Sequence, residues 1–183
     1  MTTLAEDYKY VKEHIRIVPD FPKKGIMFLD ITTALKDAKA MQMMIDFLFD
    51  KFKSEKVDYV AGIESRGFIF GAALAYKLGC GFVTIRKPNK LPAKTIKEDY
   101  TLEYGTNTIE IHEDAIKPGD RVVVIDDLLA TGGTAIAACN LIKRVGAEVV
   151  STAFIIELDP LKGREKIESK GFKVLSMLNY DLD

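Results

Sequence analysis

Apolar positions along the chain fall into two alternating rhythms. Residues 57–63, Val-Asp-Tyr-Val-Ala-Gly-Ile, form a nearly continuous apolar run, and residues 68–78 then carry apolar side chains at helical spacing until Gly79 stops them. Phe82-Val83-Thr84-Ile85 reads as the next strand. The same order returns downstream. A strand is predicted over residues 121–125, and Ala135, Ile136, Ala138, Cys139, Leu141, Ile142 and Val145 then mark one face of a helix capped by Gly146. A further β-rich run covers residues 149–158. Two strand–helix–strand units of this kind impose parallel pairing. Strands apolar on both faces need helices above and below them. The predicted architecture is α/β and doubly wound, a mainly parallel sheet with helices on both faces.

Two segments depart from this rhythm. Residues 20–33 are punctuated by Pro22 and Gly25 and carry Phe21 and Phe28 ahead of a long helix predicted over residues 38–53. Residues 88–112 are polar, and the stretches 100–104 and 108–112 flank Gly105-Thr106-Asn107, which predicts a long hairpin with its turn at those three residues. Loops of such length serve as lids or binding loops. No linker, repeat or low-complexity stretch divides the 183 residues, so residues 1–183 are expected to form one domain.

Composition narrows the functional classes. Lys and Arg number 26 against 27 Asp and Glu, a net charge of −1, so the overall field attracts neither a nucleic-acid backbone nor an anionic bilayer. No apolar run in the first 30 residues has the length of a signal peptide or membrane span. The expected location is the cytoplasm. Cys80 and Cys139 lack metal-ligand spacing and are expected to be buried free thiols. His14 and His112 have no nucleophile or ligand set near them in sequence and are expected to be ordinary surface residues.

The candidate chemistry begins where the second unit's strand ends, at Ile125-Asp126-Asp127-Leu128-Leu129-Ala130-Thr131-Gly132-Gly133-Thr134. A buried strand followed by a small-residue loop and a helix aims unpaired N–H groups and the positive helix end at one point, which makes an anion site. Gly132 and Gly133 let a phosphate approach the backbone, and Thr131 and Thr134 add hydroxyls. The segment has neither the Gly-Lys-Ser/Thr of a Walker loop nor the spaced glycines of a dinucleotide fingerprint. Asp126 and Asp127 beside a phosphate need a partner of their own, either ribose hydroxyls or a divalent cation. Phosphate together with sugar hydroxyls points to a phosphorylated pentose.

The first unit offers a second anion site at Glu64-Ser65-Arg66-Gly67, again between strand and helix. Arg66 can contact phosphate oxygens through two nitrogens, although Ser65 read alone is equally an N-cap. Arg86, Lys87 and Lys90 follow the next strand and add cations; each lysine taken singly also reads as part of a solvated basic loop. In a doubly wound sheet these loops converge at the carboxyl ends of the strands.

Residues 122–134 resemble the signature of type I phosphoribosyltransferases, which bind 5-phosphoribosyl 1-pyrophosphate (PRPP). The resemblance extends from about residue 19 to residue 166 and is to the adenine phosphoribosyltransferases in particular. It implies that Asp126 and Asp127 meet the ribose hydroxyls, that Ala130, Thr131, Gly132, Gly133 and Thr134 surround the 5′-phosphate, and that Ser65, Arg66, Arg86, Lys87 and Lys90 contact pyrophosphate, some of them across a homodimer interface. Residues 19–33 resemble that family's adenine-binding hood, in which Phe28 would stack on the purine while the backbone around Met27 and Leu29 reads its edge. Several members carry Arg where this chain has Leu29, and any side-chain contact made by that Arg is absent here. Phe21 also reads as an apolar staple entering a helix.

Residues 88–112 resemble the family's flexible lid. Glu103, by itself an exposed hairpin charge, then corresponds to the group that exchanges a proton at purine N7, with Tyr104 orienting the reactants and Arg66 also counted among the catalytic groups. The implied reaction converts adenine and PRPP into AMP and pyrophosphate. Its cofactor is Mg2+, held mainly by PRPP and water with no direct protein ligand. The same phosphate features would serve a phosphoribosyltransferase for hypoxanthine, guanine or xanthine, or a non-catalytic PRPP-sensing regulator that binds nucleic acid, which would need a basic face. Leu161-Lys162-Gly163-Arg164-Glu165-Lys166 matches a stretch common in the family and carries no chemical role beyond a surface or interface helix.

Overall fold

The computed structural model describes residues 4–102 and 105–181. Its strands β3 (Tyr59–Ile63), β4 (Gly81–Ile85), β7 (Arg121–Leu129), β8 (Glu148–Leu158) and β9 (Val174–Tyr180) form one sheet in the order β4-β3-β7-β8-β9. Every pairing in that sheet is parallel. Helices α1 (Leu4–His14), α3 (Ala38–Phe52) and α4 (Gly67–Leu78) supply one buried cluster with Val11, Met44, Leu48 and Phe70. Helices α5 (Gly133–Val145) and α6 (Gly163–Glu168) supply another with Leu141, Ile142 and Ile167. Successive residues of β7 divide between the two, Val123 and Ile125 in the first, Val122 and Val124 in the second. That division is why the strand is apolar without alternation. Doubly wound α/β is the observed architecture.

Two antiparallel hairpins are added to this frame. β1 (Arg16–Pro19) pairs with β2 (Met27–Asp30), and β5 (Thr95–Leu102) pairs with β6 (Gly105–His112). A short α2 (Thr32–Leu35) leads from the first hairpin toward α3. The turn predicted at Gly105-Thr106-Asn107 is displaced: these residues lie in β6, opposite Leu102, Thr101 and Tyr100. The cause is the period-two placement of Ile109 and Ile111, 3% and 0% exposed, since their burial fixes the register of the strand that carries them. The base of the expected lid is therefore rooted in the core.

Other expectations need adjustment. β7 continues past Ile125 because Asp126, Leu128 and Leu129 keep partners in Phe154, Ile156 and Glu157 of β8. Cys139 is buried, and burial pushes its thiol up to about 12. Cys80 is only half-buried. His14 is not a simple surface residue: it stacks on Tyr10 with 4.2 Å between centroids, and its Nδ1 lies 2.8 Å from the Tyr10 carbonyl. His112 is half-buried, and its Nε2 accepts from the Ala93 N–H at 3.4 Å.

The approach of α4 to the sheet is set by glycine. The Phe82 ring occupies the space beside Gly62 and Gly71, and a Cβ on Gly71 would lie 2.6 Å from that ring and 3.0 Å from Ile125 Cγ2. At Gly67, the first residue of α4, a Cβ would lie 2.6 Å from the Ile125 carbonyl oxygen. The ring has Gly62 and Gly71 against it and the Phe68 ring edge-on, 6.0 Å between centroids. Gly71→Ala is expected to cost about 1–3 kcal/mol through overpacking. Urea unfolding checks this as a lowered midpoint at unchanged slope; a midpoint equal to the parent's would show that the ring yields freely.

Candidate functional site

The carboxyl ends of β3 and β7 are neighbours in the sheet, and each leads directly into a helix, α4 and α5. Beyond β7 the chain turns through Gly132, whose φ of 78° is left-handed and open to glycine at no steric cost, and enters α5 at Gly133. A cleft of about 140 Å³ opens there, lined by Asp126, Ala130, Thr131, Gly132, Gly133 and Thr134 among others. The free amides of the first turn of α5 and the positive end of its dipole face this region.

Beyond β3, Ser65 and Arg66 are exposed at the start of α4, and the Glu64–Ser65 peptide is cis. A second cleft of about 260 Å³ is lined by Glu64, Ser65, Arg66, Lys87, Asp126 and Asp127. Asp126 borders both clefts. The residues expected to form two separate anion sites thus line adjoining clefts, with Asp126 on their common wall.

Charge compensation in this region is uneven. Arg66 Nε donates to Asp127 Oδ2, and Asp127 is 4% exposed. The rest of the Arg66 guanidinium, whose side chain is 43% exposed, remains directed to solvent with donors to spare. Asp126 accepts from the Asp127 N–H at 2.9 Å. Burial, reinforced by the neighbouring Asp127 carboxylate, pushes the Asp126 carboxyl well above the usual range. A ligand hydroxyl or a cation arriving here would relieve that strain on the charged form.

Arg86 has protein partners of its own in this loop. Its Nε and one terminal nitrogen donate to Glu64 at 3.1 and 3.3 Å, and the other terminal nitrogen donates to the Lys90 carbonyl at 3.2 Å. The Lys87 N–H donates to Glu64 Oε2 at 3.1 Å. The Arg86 guanidinium and this N–H hold the Glu64 carboxyl below its ordinary value. Arg86 is thereby spent largely on shaping the loop, while the Lys87 side chain lines the second cleft and Lys90 is exposed outside both. Glu64 as the organiser was missed in the sequence; its position between a strand end and three nearby cations was the available signal.

The β1–β2 hairpin is clamped at its base. Asp30 receives Arg16 Nε at 3.2 Å and a terminal nitrogen at 2.5 Å, and Thr32 donates its N–H and hydroxyl at 3.0 and 2.5 Å. The Thr32 hydroxyl first, then Arg16, lowers the Asp30 carboxyl to about 2. At the other end Asp20 accepts the Gly25 N–H at 2.7 Å. Phe28 is half-buried with Phe21 edge-on, centroids 5.0 Å apart, so Phe21 belongs to an aromatic pair within the hairpin and not to a helix staple. Met27 is 41% exposed, whereas Leu29 is 4% exposed with its side chain in the core. Leu29 thus leaves only its backbone to any ligand. Glu103 and Tyr104 lie outside the described residues.

Among the described residues no group of three or more His, Cys, Asp or Glu is arranged to hold a metal ion. Asp126 and Asp127 are the carboxylates nearest the junction of the clefts, and one of them is already bound by Arg66. Such a donor set fits a cation that brings most of its ligands with it as substrate oxygens and water.

A family model described as phosphoribosyl transferase domain matches residues 31–181. An adenine phosphoribosyltransferase of Syntrophotalea carbinolica is 58% identical over 166 residues, 91% of this chain and 96% of that protein. The crystal structure of adenine phosphoribosyltransferase from Thermoanaerobacter pseudethanolicus is similar with a TM-score of 0.91 at 50% identity, covering 94% of this chain and 99% of that one. The Saccharomyces cerevisiae enzyme, complexed with an imino-altritol bisphosphate and adenine, is similar with a TM-score of 0.88 at 39% identity, covering 95% and 99%.

The raised Asp126 carboxyl has a consequence for stability. A carboxyl whose folded pKa exceeds its unfolded one destabilises the fold as pH rises from the unfolded value through the folded one. Asp126→Asn removes that penalty and keeps the acceptor for the Asp127 N–H. The ligand-free variant is expected to melt higher at neutral pH, by about 2–4 °C for each kcal/mol of penalty relieved in a chain of this size. The difference should vanish below about pH 4. Differential scanning calorimetry at pH 7.5 and pH 4 checks the sign.

Proposed function

The chain belongs to the phosphoribosyl transferase family, and on that premise we propose that it transfers the 5-phosphoribosyl group of PRPP to adenine, giving AMP and pyrophosphate in purine salvage. The observation that carries this reading is the pair of adjoining anion clefts with Asp126 on their common wall. PRPP presents one phosphate and one pyrophosphate on opposite sides of a diol, and the clefts offer donors, acids and donors in the same order.

In this mechanism the amides of residues 130–134 take the 5′-phosphate, and Asp126 and Asp127 accept from the ribose hydroxyls. Pyrophosphate leaves into the second cleft, where Ser65, the free guanidinium nitrogens of Arg66 and the Lys87 ammonium oppose its growing charge. Arg86 holds the loop through Glu64, and Lys90 supplies a carbonyl to Arg86; from there both can serve a neighbouring subunit. Adenine stacks on Phe28, with the backbone at Met27 and Leu29 along its edge. Glu103 exchanges the proton at N7 and Tyr104 orients the reactants, a reading that rests on the family resemblance. Mg2+ brought in with PRPP would supply charge neutralisation for the departing pyrophosphate, and Asp126 and Asp127 are the carboxylates that would stand beside it.

The finer assignments follow from the same reading. Residues 1–183 form one domain with a hood at about 19–33 and a lid at about 88–112. The protein works as a cytoplasmic homodimer. The support for a dimer is α4, where Ile69 is 41% and Tyr76 is 88% exposed on one face of the helix that begins beside Arg66. No helix among the described residues is long and apolar enough to cross a membrane.

A spectrophotometric assay with PRPP and Mg2+ is expected to show AMP formation from adenine and little or none from hypoxanthine, guanine or xanthine. Turnover of a 6-oxopurine without adenine would replace the base assignment. Retention on RNA without pyrophosphate release would replace the enzyme by a regulator. Glu103→Ala is expected to lower kcat by about 10²–10⁴-fold while the KM for PRPP stays within about twofold. Near-normal kcat would take Glu103 out of proton transfer.

A further inference from the structure

The C-terminal stretch 161–166, given only a surface role in the sequence, meets the phosphate loop backbone to backbone. A Cβ on Gly163 would lie 2.1 Å from the Ala130 carbonyl oxygen and 2.8 Å from Leu129 Cδ1. The contact is reciprocal, for a Cβ on Gly132 would lie 2.9 Å from the Gly163 carbonyl oxygen and 3.1 Å from Ile167 Cγ1. Real Cβ atoms do not come within 3.0 Å of such neighbours. The loop and the start of α6 therefore sit closer than any side chain at either position allows.

What keeps α6 there is the next residue. Arg164 Nε donates to Glu157 Oε1 at 2.9 Å, and a terminal nitrogen donates to Glu157 Oε2 at 2.5 Å and to Ser176 Oγ at 2.7 Å. The second terminal nitrogen donates to the Val174 carbonyl at 2.9 Å. The Ser176 hydroxyl in turn donates to Glu157 Oε2. Glu157 is 3% exposed and stands opposite Leu129 in the β7–β8 pairing. The connection forms a closed ring: Leu129 begins the loop, Gly163 supports it from beneath, and Arg164 ties that support to the strand residue paired with Leu129.

We infer that Gly163, Arg164 and Ser176 are positioning residues for the 5′-phosphate, fixing the height of the loop 130–134 and with it the amides that meet the phosphoryl oxygens. The inference rests on the phosphoribosyl reading of that loop. None of the three residues lines either cleft, so their effect passes through the loop alone. An Ala at 163 must push the Ala130 peptide away, and a misplacement of this order in a pre-organised site costs up to about 10²-fold.

The test uses isothermal titration of the full chain with two probes, ribose 5-phosphate and inorganic pyrophosphate, on the parent, Gly163→Ala and Ser176→Ala. Melting curves establish that each variant is folded. Expected is a dissociation constant for ribose 5-phosphate raised roughly 10- to 100-fold in Gly163→Ala and less in Ser176→Ala, with pyrophosphate binding unchanged in both. A merely structural role would leave both probes unaffected in folded protein or weaken them equally, and either result overturns the inference. If Gly163→Ala does not fold, Ser176→Ala alone decides by the same split. A parent chain that binds pyrophosphate but no ribose 5-phosphate would sink the phosphoribosyl reading instead.

Discussion

The contact between Arg66 and Asp127 joins the ends of two adjacent strands across the middle of the site. It is the interaction on which the rest depends. Asp127 is nearly inaccessible to water, and a carboxylate in that position is sustained only with a cation or several donors against it. The partner is supplied by the turn after β3, so the turn of one strand and the acid pair of the other are set relative to each other before any ligand arrives. Preorganisation of this kind avoids reorientation of dipoles while charge moves in the reaction.

Around that contact, precision comes from backbone approaching backbone. Gly67 lets α4 start against the Ile125 carbonyl, and Gly132 with Gly163 lets the start of α6 pack against the loop 130–134. Charged networks then hold these close approaches in register: Glu64 gathers Arg86 and the Lys87 amide, and Glu157 gathers Arg164 and Ser176. In both networks the carboxylate follows or ends a central strand. Acid residues thus serve twice here, lining the second cleft at Asp126 and Asp127 and bracing the walls at Glu64 and Glu157.

Four strands of the central sheet were legible in the sequence because they are apolar runs flanking helices that stop at glycine, whereas β9 escaped because Ser176 and Asn179 interrupt its apolar run. The strand–loop–helix junction at residues 126–134 was legible because small residues after an apolar strand break both the strand and the helix period. What escaped has a common physical reason. α1 buries little beyond Val11 and so shows no strong helical period. The β1–β2 hairpin is four residues on each side, too short to stand out among turn residues. Leu29 points into the core, which depends on how the hairpin docks and not on its own neighbours in the chain. The sequence shows the charge of Arg86 but not Glu64 facing it. The same holds for Gly163, whose reason for being glycine is the Ala130 carbonyl on a distant element.

The interlock of Gly132 and Gly163 has an evolutionary corollary. Gly132 lies on the Gly163 carbonyl and Gly163 on the Ala130 carbonyl, so substitutions at the two glycines shift the same pair of backbones and their effects should be non-additive. A side chain accepted at either would first require the opposite backbone to retreat, and that retreat would be felt by every amide of the intervening loop. Drift at this junction is thereby slow, and slowest at Gly132, whose left-handed φ of 78° would strain a side chain even after the opposite backbone had withdrawn.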